Sequence, residues 1–556
     1  MTSREPPEGE AEWWAKSARE KRSTPLAVVS VLFLVAGGVG AYAMFGRTAA
    51  HGDRTDATVS EAGAPSAIVD PVTLLPIALH KPTPMGDEIF STRMLRFTIA
   101  LDQASKEPLD AGGPRSVELA AAEAALCEAE VPAALGPGAA TALREVLTTA
   151  QAAARAAPED DSSVTAFEIA TARLDNALIA SGLPYFVDAS VIVDESRSTR
   201  LVLLYEFAIA SSDLHASGEA RVRAVQLRRL DRLNWSHTLL GFVNPHRPYA
   251  VVLLDQIDEQ LVNNVLPALA PDAAMPLMAS EAEGDSAPMV SPPQAVAISV
   301  RAGKNVRAEV DELLGQGAAA ARELGDAVRA RRALFEKWNQ RLRARGVSVK
   351  YPSKLELDVG AIEREMSSSM PRGELEELRS IQKRIDRPDV SQAYAVLRDA
   401  FVASVERHEV QHRLDQIHPI TTPKAVDALV SPGGGRAGEN LRDHIKNELS
   451  AYLAQLARDE PLARTTFTML LRFLADPRVR GSAESYAALI ATEELASELG
   501  IAGASPLFHD RLIDDARVDL AHRELTTVPA PKLRDAARKV WSRLYGADLA
   551  PLTRLP

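Results

Sequence analysis

The sequence predicts a mainly α-helical protein with a smaller α/β module, preceded by a single transmembrane helix. Three observations predict it. Ala-rich stretches such as 119–125 and 150–157, together with long apolar stripes at i, i+3/i+4 spacing, favour helix. Segments rich in Val, Tyr and Phe gather between residues 185 and 254. Residues 25–46 (PLAVVSVLFLVAGGVGAYAMFG) run for 22 positions without a formal charge. At ~1.5 Å rise per residue such a helix spans a hydrocarbon core of ~30 Å.

In chain order, residues 1–24 form a polar tail with Lys16, Arg19, Lys21 and Arg22 crowded against the apolar run. That asymmetry places the tail in the cytoplasm and the bulk of the chain outside it, anchored to the cell membrane through residues 25–46. The run exceeds the ~7–15 apolar residues of a cleavable signal, so an anchor is expected. Residues 47–70, small and polar, read as a linker. Residues 71–300 read as helices followed by a mixed module, with strands at 185–194, 200–208 and 249–254 and a loop at 271–293. Residues 301–345 read as one long amphipathic helix, with Val306, Val310, Leu324, Val328, Leu334, Trp338 and Leu342 on its core side and a solvated arginine run from Arg329 to Arg345. The 71–345 region is where an oligomeric or regulatory partner would find its surface.

Charge and cysteine content narrow the function. Lys+Arg total 63 against 75 Asp+Glu, a net charge of −12, which disfavours nucleic acid as a partner. The single cysteine, Cys127, excludes an intrachain disulfide and any Cys-rich metal site, and its Ala-rich helical setting reads as packing. His215, His237 and His246 are scattered and read as structural or exposed.

The chemistry concentrates in residues 390–418, VSQAYAVLRDAFVASVERHEVQHRLDQIH. Val390, Tyr394, Leu397, Phe401 and Val405 trace a helical stripe that continues into His408 and His412. Four residues apart on a helix, the two imidazoles stand about 40° apart and can address one ion. Glu409 lies about 100° round from His408, beside the pair rather than in it, where a general base would act on a metal-bound water. This is H-E-x-x-H, the zincin metallopeptidase pattern.

A catalytic zinc needs a third protein ligand. His418 completes the spacing HExxHxxGxxH, although Asp415 stands in the glycine position and Pro419 follows at once. Asp415 itself would either orient an imidazole or cap the helix end. Glu448 lies within the apolar stripe Leu441, Ile445, Tyr452, Leu456 of residues 439–460, where a carboxylate is costly unless paired. Glu493, Glu494 and Glu498 on a later helix are further candidates. A second helix supplying Glu after an HExxH helix resembles the gluzincin arrangement, and the resemblance covers residues 390–458. It implies zinc held by His408, His412 and Glu448, Glu409 as general base, a helical catalytic domain over 346–556, and a peptide or protein substrate. His444 and Tyr452, one turn either side of Glu448, are the candidate oxyanion donors, with packing as their alternative role. The loop at 431–435 is a connector or a lid. Two rival readings share the motif: a noncatalytic membrane-tethered scaffold with a structural metal, and a zinc hydrolase of a non-protein amide such as one in a cell wall. Retention of Glu409 speaks against the first.

Overall fold

The computed structural model describes residues 79–105, 114–157, 160–194, 199–230, 240–270, 273–275, 293–343, 354–366, 370–430, 435–458, 461–476, 479–509 and 512–555. The expected tail, membrane span and linker lie outside the described residues, as do His237, residues 431–434 and most of 271–293. Among the described residues no helix is long and apolar enough to cross a membrane.

The described residues are mainly helical, as the composition predicts, with one six-stranded mixed sheet and a separate short pairing of Phe508–His509 with Leu512–Ile513. Helices α1 (Met94–Ser105), α2 (Pro114–Cys127), α3 (Pro137–Arg155) and α4 (Asp161–Ala180) precede strands β1 (Tyr185–Asp194), β2 (Thr199–Ser217), β3 (Ala220–Arg229), β4 (Gly241–Val243) and β5 (Tyr249–Leu253). Then come helices α5 (Pro293–Leu314), α6 (Ala318–Arg343), α7 (Arg372–Ile385), α8 (Pro388–Ile417), α9 (Gly435–Arg458), α10 (Ala463–Ala475), α11 (Ala483–Glu498), α12 (Asp515–Leu525) and α13 (Ala530–Tyr545), and a last strand, β6 (Thr553–Leu555).

The sheet order is β1-β2-β3-β5-β4, with β6 also pairing to β2. Neighbours are antiparallel except β3 and β5, which run parallel. Tyr185, Val187, Val202 and Leu204 pack with Phe97, Leu143 and Leu174 of the upstream helices. Val222, Ala224, Val243 and Ala250 pack instead with Val410 and Leu414 of α8. The sheet therefore joins the upstream helices to the helix that carries the two motif histidines, leaving β4 at the rim beside it.

A second core runs from Val252 to Tyr545 and takes in helices α5 to α13. Val306, Val310, Leu324, Val328, Trp338 and Leu342 are buried in it, in the same cluster as Val390, Leu397 and Phe401 of α8. The single helix expected over 301–345 is in fact two, α5 and α6. Gly315 sits between them at φ +51°, a left-handed conformation that ends one helix and opens the short 3-10 turn Gly315–Gly317 leading into the next. Two smaller expectations also change. Arg331 does not belong to a solvated face: it is fully buried and donates to the carbonyls of Leu355 and Lys354. Cys127, at the last turn of α2, is exposed rather than packed.

Helix α10 begins without a local cap, because Leu462 at its N-cap has no side-chain oxygen. Glu309, on α5 and 1% exposed, supplies the missing acceptor. Its carboxylate takes hydrogen bonds from Arg464 N (2.7 Å), Thr465 N (2.6 Å) and Thr465 Oγ1 (2.7 Å). Burial pushes the Glu309 carboxyl up to about 7 in spite of those donors. The folded chain therefore holds a proton that the unfolded chain releases near ~4.3, so this group's contribution to stability falls as pH climbs from about 4.3 to 7 and is level above that. Glu309→Gln removes the titration. The wild type's margin over the variant in urea midpoint should shrink between pH 5 and pH 8, and a constant or growing margin would contradict the assignment.

Candidate metal centre

Helix α8 is buried on two sides, by the large core through Phe401 and Val405 and by the sheet through Val410 and Leu414. That double packing fixes its rotation and aims His408 and His412 at α9. Glu406 adds a polar clamp, accepting from Gln226 Nε2 of β3 (3.0 Å) and meeting His215 Nε2 of β2 at 2.7 Å. The expected structural role of His215 is thus observed, while His246 is half-buried with its Nε2 3.9 Å from Glu168.

The three residues expected to bind metal come together. His408 Nε2 and His412 Nε2 lie 3.0 Å apart, and Glu448 on α9 places Oε2 3.5 Å from the first and Oε1 3.4 Å from the second. Among the described residues this is the group of three or more metal-ligating side chains whose donor atoms all lie within 4.8 Å of one another. Zinc takes imidazole nitrogen and carboxylate oxygen at about 2.0–2.2 Å, and tetrahedral geometry then sets ligand–ligand separations near ~3.4 Å. The observed spacings fit that donor set. They are awkward for a metal-free arrangement, since two imidazole nitrogens facing each other need one proton between them or a shared cation.

The electrostatics agree. Burial works to raise the Glu448 carboxyl, but His412 and His408 hold it well below the usual carboxylate range. Burial works to lower His412, yet Glu448 pushes it up to about 9. Each effect expresses a strong demand for positive charge beside Glu448.

Glu409 stands outside the trio but within range of its charges, with its side chain at the rim of the sheet. It is 6% exposed, and burial raises its carboxyl although the two histidines oppose the shift. Its side chain packs against Gly241 of β4. A Cβ at that glycine would stand 2.6 Å from Glu409 Cγ, 2.8 Å from its Oε1 and 2.4 Å from the Val251 carbonyl, so only glycine leaves the carboxylate its place.

The remaining candidates divide. Tyr452 lays its ring on His408, with centroids 4.6 Å apart at 56°, and on Phe473 at 6.0 Å. Burial raises its hydroxyl well above the ordinary tyrosine value, so it stays a neutral donor. His444 is half-buried one turn before Glu448; burial lowers it and the Glu448 charge opposes. His418 leaves the helix as the C-cap of α8, at φ −123° and ψ 87°, and is exposed outside the trio. Glu493 accepts from Leu507 N, while Glu494 and Glu498 bind Arg543, so none of the three joins the site. Asp415 is buried, accepts from Gln411 Nε2 (2.7 Å), is pushed up to about 6 by burial and acts on His412 through charge.

Two residues were not foreseen. Glu484, in the first turn of α11, is raised by burial and by the charge of Glu448, which places a second carboxyl near the trio. Gln455 sets its Oε1 3.2 Å from His408 Nδ1. The packing of α11 on α9 left no local signal for the first, but Gln455 continues the helical face of Glu448 and Tyr452 and was legible at i+7. No family model, no curated protein and no solved structure matches this chain.

Proposed function

We propose that this chain is a membrane-anchored, zinc-dependent metallopeptidase of gluzincin type, tethered through residues 25–46 with its body outside the cytoplasm. The observation that carries the reading is the mutual approach of His408, His412 and Glu448 at zinc-like spacing, with a buried carboxylate, Glu409, next to them. A zinc ion held there supplies Lewis acidity, acidifying a water and polarising a carbonyl. Glu409 accepts the proton of the attacking water and returns it to the leaving amine. Tyr452 and His444 lie on the Glu448 face, from which either can donate to the oxyanion. The rim position of β4 supports a peptide substrate. An extended chain added along that strand would pass over Gly241, beside the Glu409 carboxylate.

Metal analysis tests the reading. The full chain in detergent should carry one zinc per chain. Glu448→Ala should weaken zinc binding by more than ~100-fold, beyond what loss of an outer partner costs, while His418→Ala leaves it intact. A folded, metal-free wild type overturns the proposal, and the reverse order of the two variants reassigns the third ligand to His418.

A further inference from the structure

An imidazole can bind a metal through Nε2 only if its proton sits on Nδ1, and which nitrogen carries the proton is set by what the other ring nitrogen meets. We propose that Gln455 is the positioning residue that fixes His408 in this tautomer, with Nδ1–H donated to Gln455 Oε1 and the Nε2 lone pair turned toward His412 and Glu448. The inference rests on the metal reading above and adds the device that prepares one ligand for it.

Three side chains make the arrangement. His408 Nδ1 lies 3.2 Å from Gln455 Oε1, Gln455 Nε2 donates to Ser404 Oγ at 2.8 Å, and Ser404 Oγ is 3.4 Å from Thr466 Oγ1. Gln455, Ser404 and Thr466 are each 9% exposed or less, so water does not compete for these bonds. The order of the amide matters. In the structure its NH2 donates to Ser404 and its oxygen faces His408 Nδ1, and an oxygen can only accept. An amide turned the other way would donate to Nδ1, move the proton to Nε2, and aim an N–H at the point where a metal must bind. Ser404 sits one turn before His408 on α8, Gln455 two turns after Glu448 on α9, and Thr466 near the start of α10. The orientation of one imidazole is thus shared among three helices. His412 lies within the field of the buried Asp415, whose carboxylate accepts from Gln411.

The test is zinc affinity of the full chain, read by competition with a chromophoric chelator at fixed pH, beside thermal unfolding of the metal-free protein. Gln455→Leu keeps the bulk and deletes the acceptor, and should weaken zinc by about 10–100-fold. Gln455→Glu keeps an acceptor that cannot flip into a donor when ionised, and should bind zinc at least as tightly as wild type. Unfolding temperatures of the two metal-free variants separate loss of the tautomer from loss of packing. Equal weakening by Leu and Glu makes the residue a packing element and overturns the inference, as does wild-type affinity in Gln455→Leu. Wild type without measurable zinc removes the metal reading and this inference with it, a pattern distinct from either.

Discussion

Glu409→Gln is expected to lower peptide hydrolysis by about 10²–10⁴-fold in kcat while zinc content stays at the wild-type level. The substitution is nearly isosteric, so the side chain still fits against Gly241 and Val251 at the rim of the sheet. What disappears is the ability to take a proton. Glu409 is not one of the three donors that converge within 4.8 Å, so the ligand set is untouched. Separating the two roles is the force of the experiment: metal stoichiometry reports His408, His412 and Glu448, and turnover of a quenched fluorescent peptide library reports Glu409. Undiminished turnover in a zinc-loaded variant would remove the general-base assignment and leave the metal site standing. A structural metal in a noncatalytic scaffold predicts the other pattern, with no turnover in either protein.

The site was legible where its logic is local. His408 and His412 are one turn apart on a helix whose apolar stripe announces itself, and Glu448 was conspicuous as a charge inside another stripe. The architecture around them was less legible. β3 reads ARVRAVQLRR, and its arginines mask the alternation that would mark a strand; Arg223 is 1% exposed, a buried guanidinium that pattern alone assigns to the surface. β4 has only three residues and reaches its place by pairing with β5, which itself crosses over to lie parallel to β3. No periodicity encodes that order, because it depends on contacts between distant segments. The same holds for the dependence of α8 on the sheet. Val410 lies inside the motif and Leu414 just beyond it, and their packing against Val222 and Ala250 shows that the strands upstream belong to the surroundings of the histidine pair.

Arg247 tests how far that dependence reaches. It lies in the five-residue connection between β4 and β5, and its side chain is 2% exposed. Its guanidinium meets Asp175 of α4 (Nε to Oδ2, 2.9 Å) and Asp188 of β1 (2.6 Å), and donates to the Val187 carbonyl (2.8 Å). The hairpin that carries Gly241 is thereby pinned to the upstream helices and to the opposite part of the sheet. Burial holds the Asp175 carboxyl above its ordinary range, Arg247 pulling it back and Asp188 adding to the shift. Removing the cation leaves two carboxyls facing one another without it, so Arg247→Met should destabilise the protein by about 3–5 kcal/mol, read from urea midpoints. Replacing the acids as well, in Arg247→Met with Asp175→Asn and Asp188→Asn, should recover most of that loss, since the cost lies in uncompensated charge rather than in missing volume. If the triple variant is as unstable as the single one, the cluster acts through shape and the charge argument fails. Because β4 flanks Glu409, the single variant should also lose more turnover than zinc. On that outcome the upstream region would act on the proposed chemistry by holding in place the strand against which Glu409 is set.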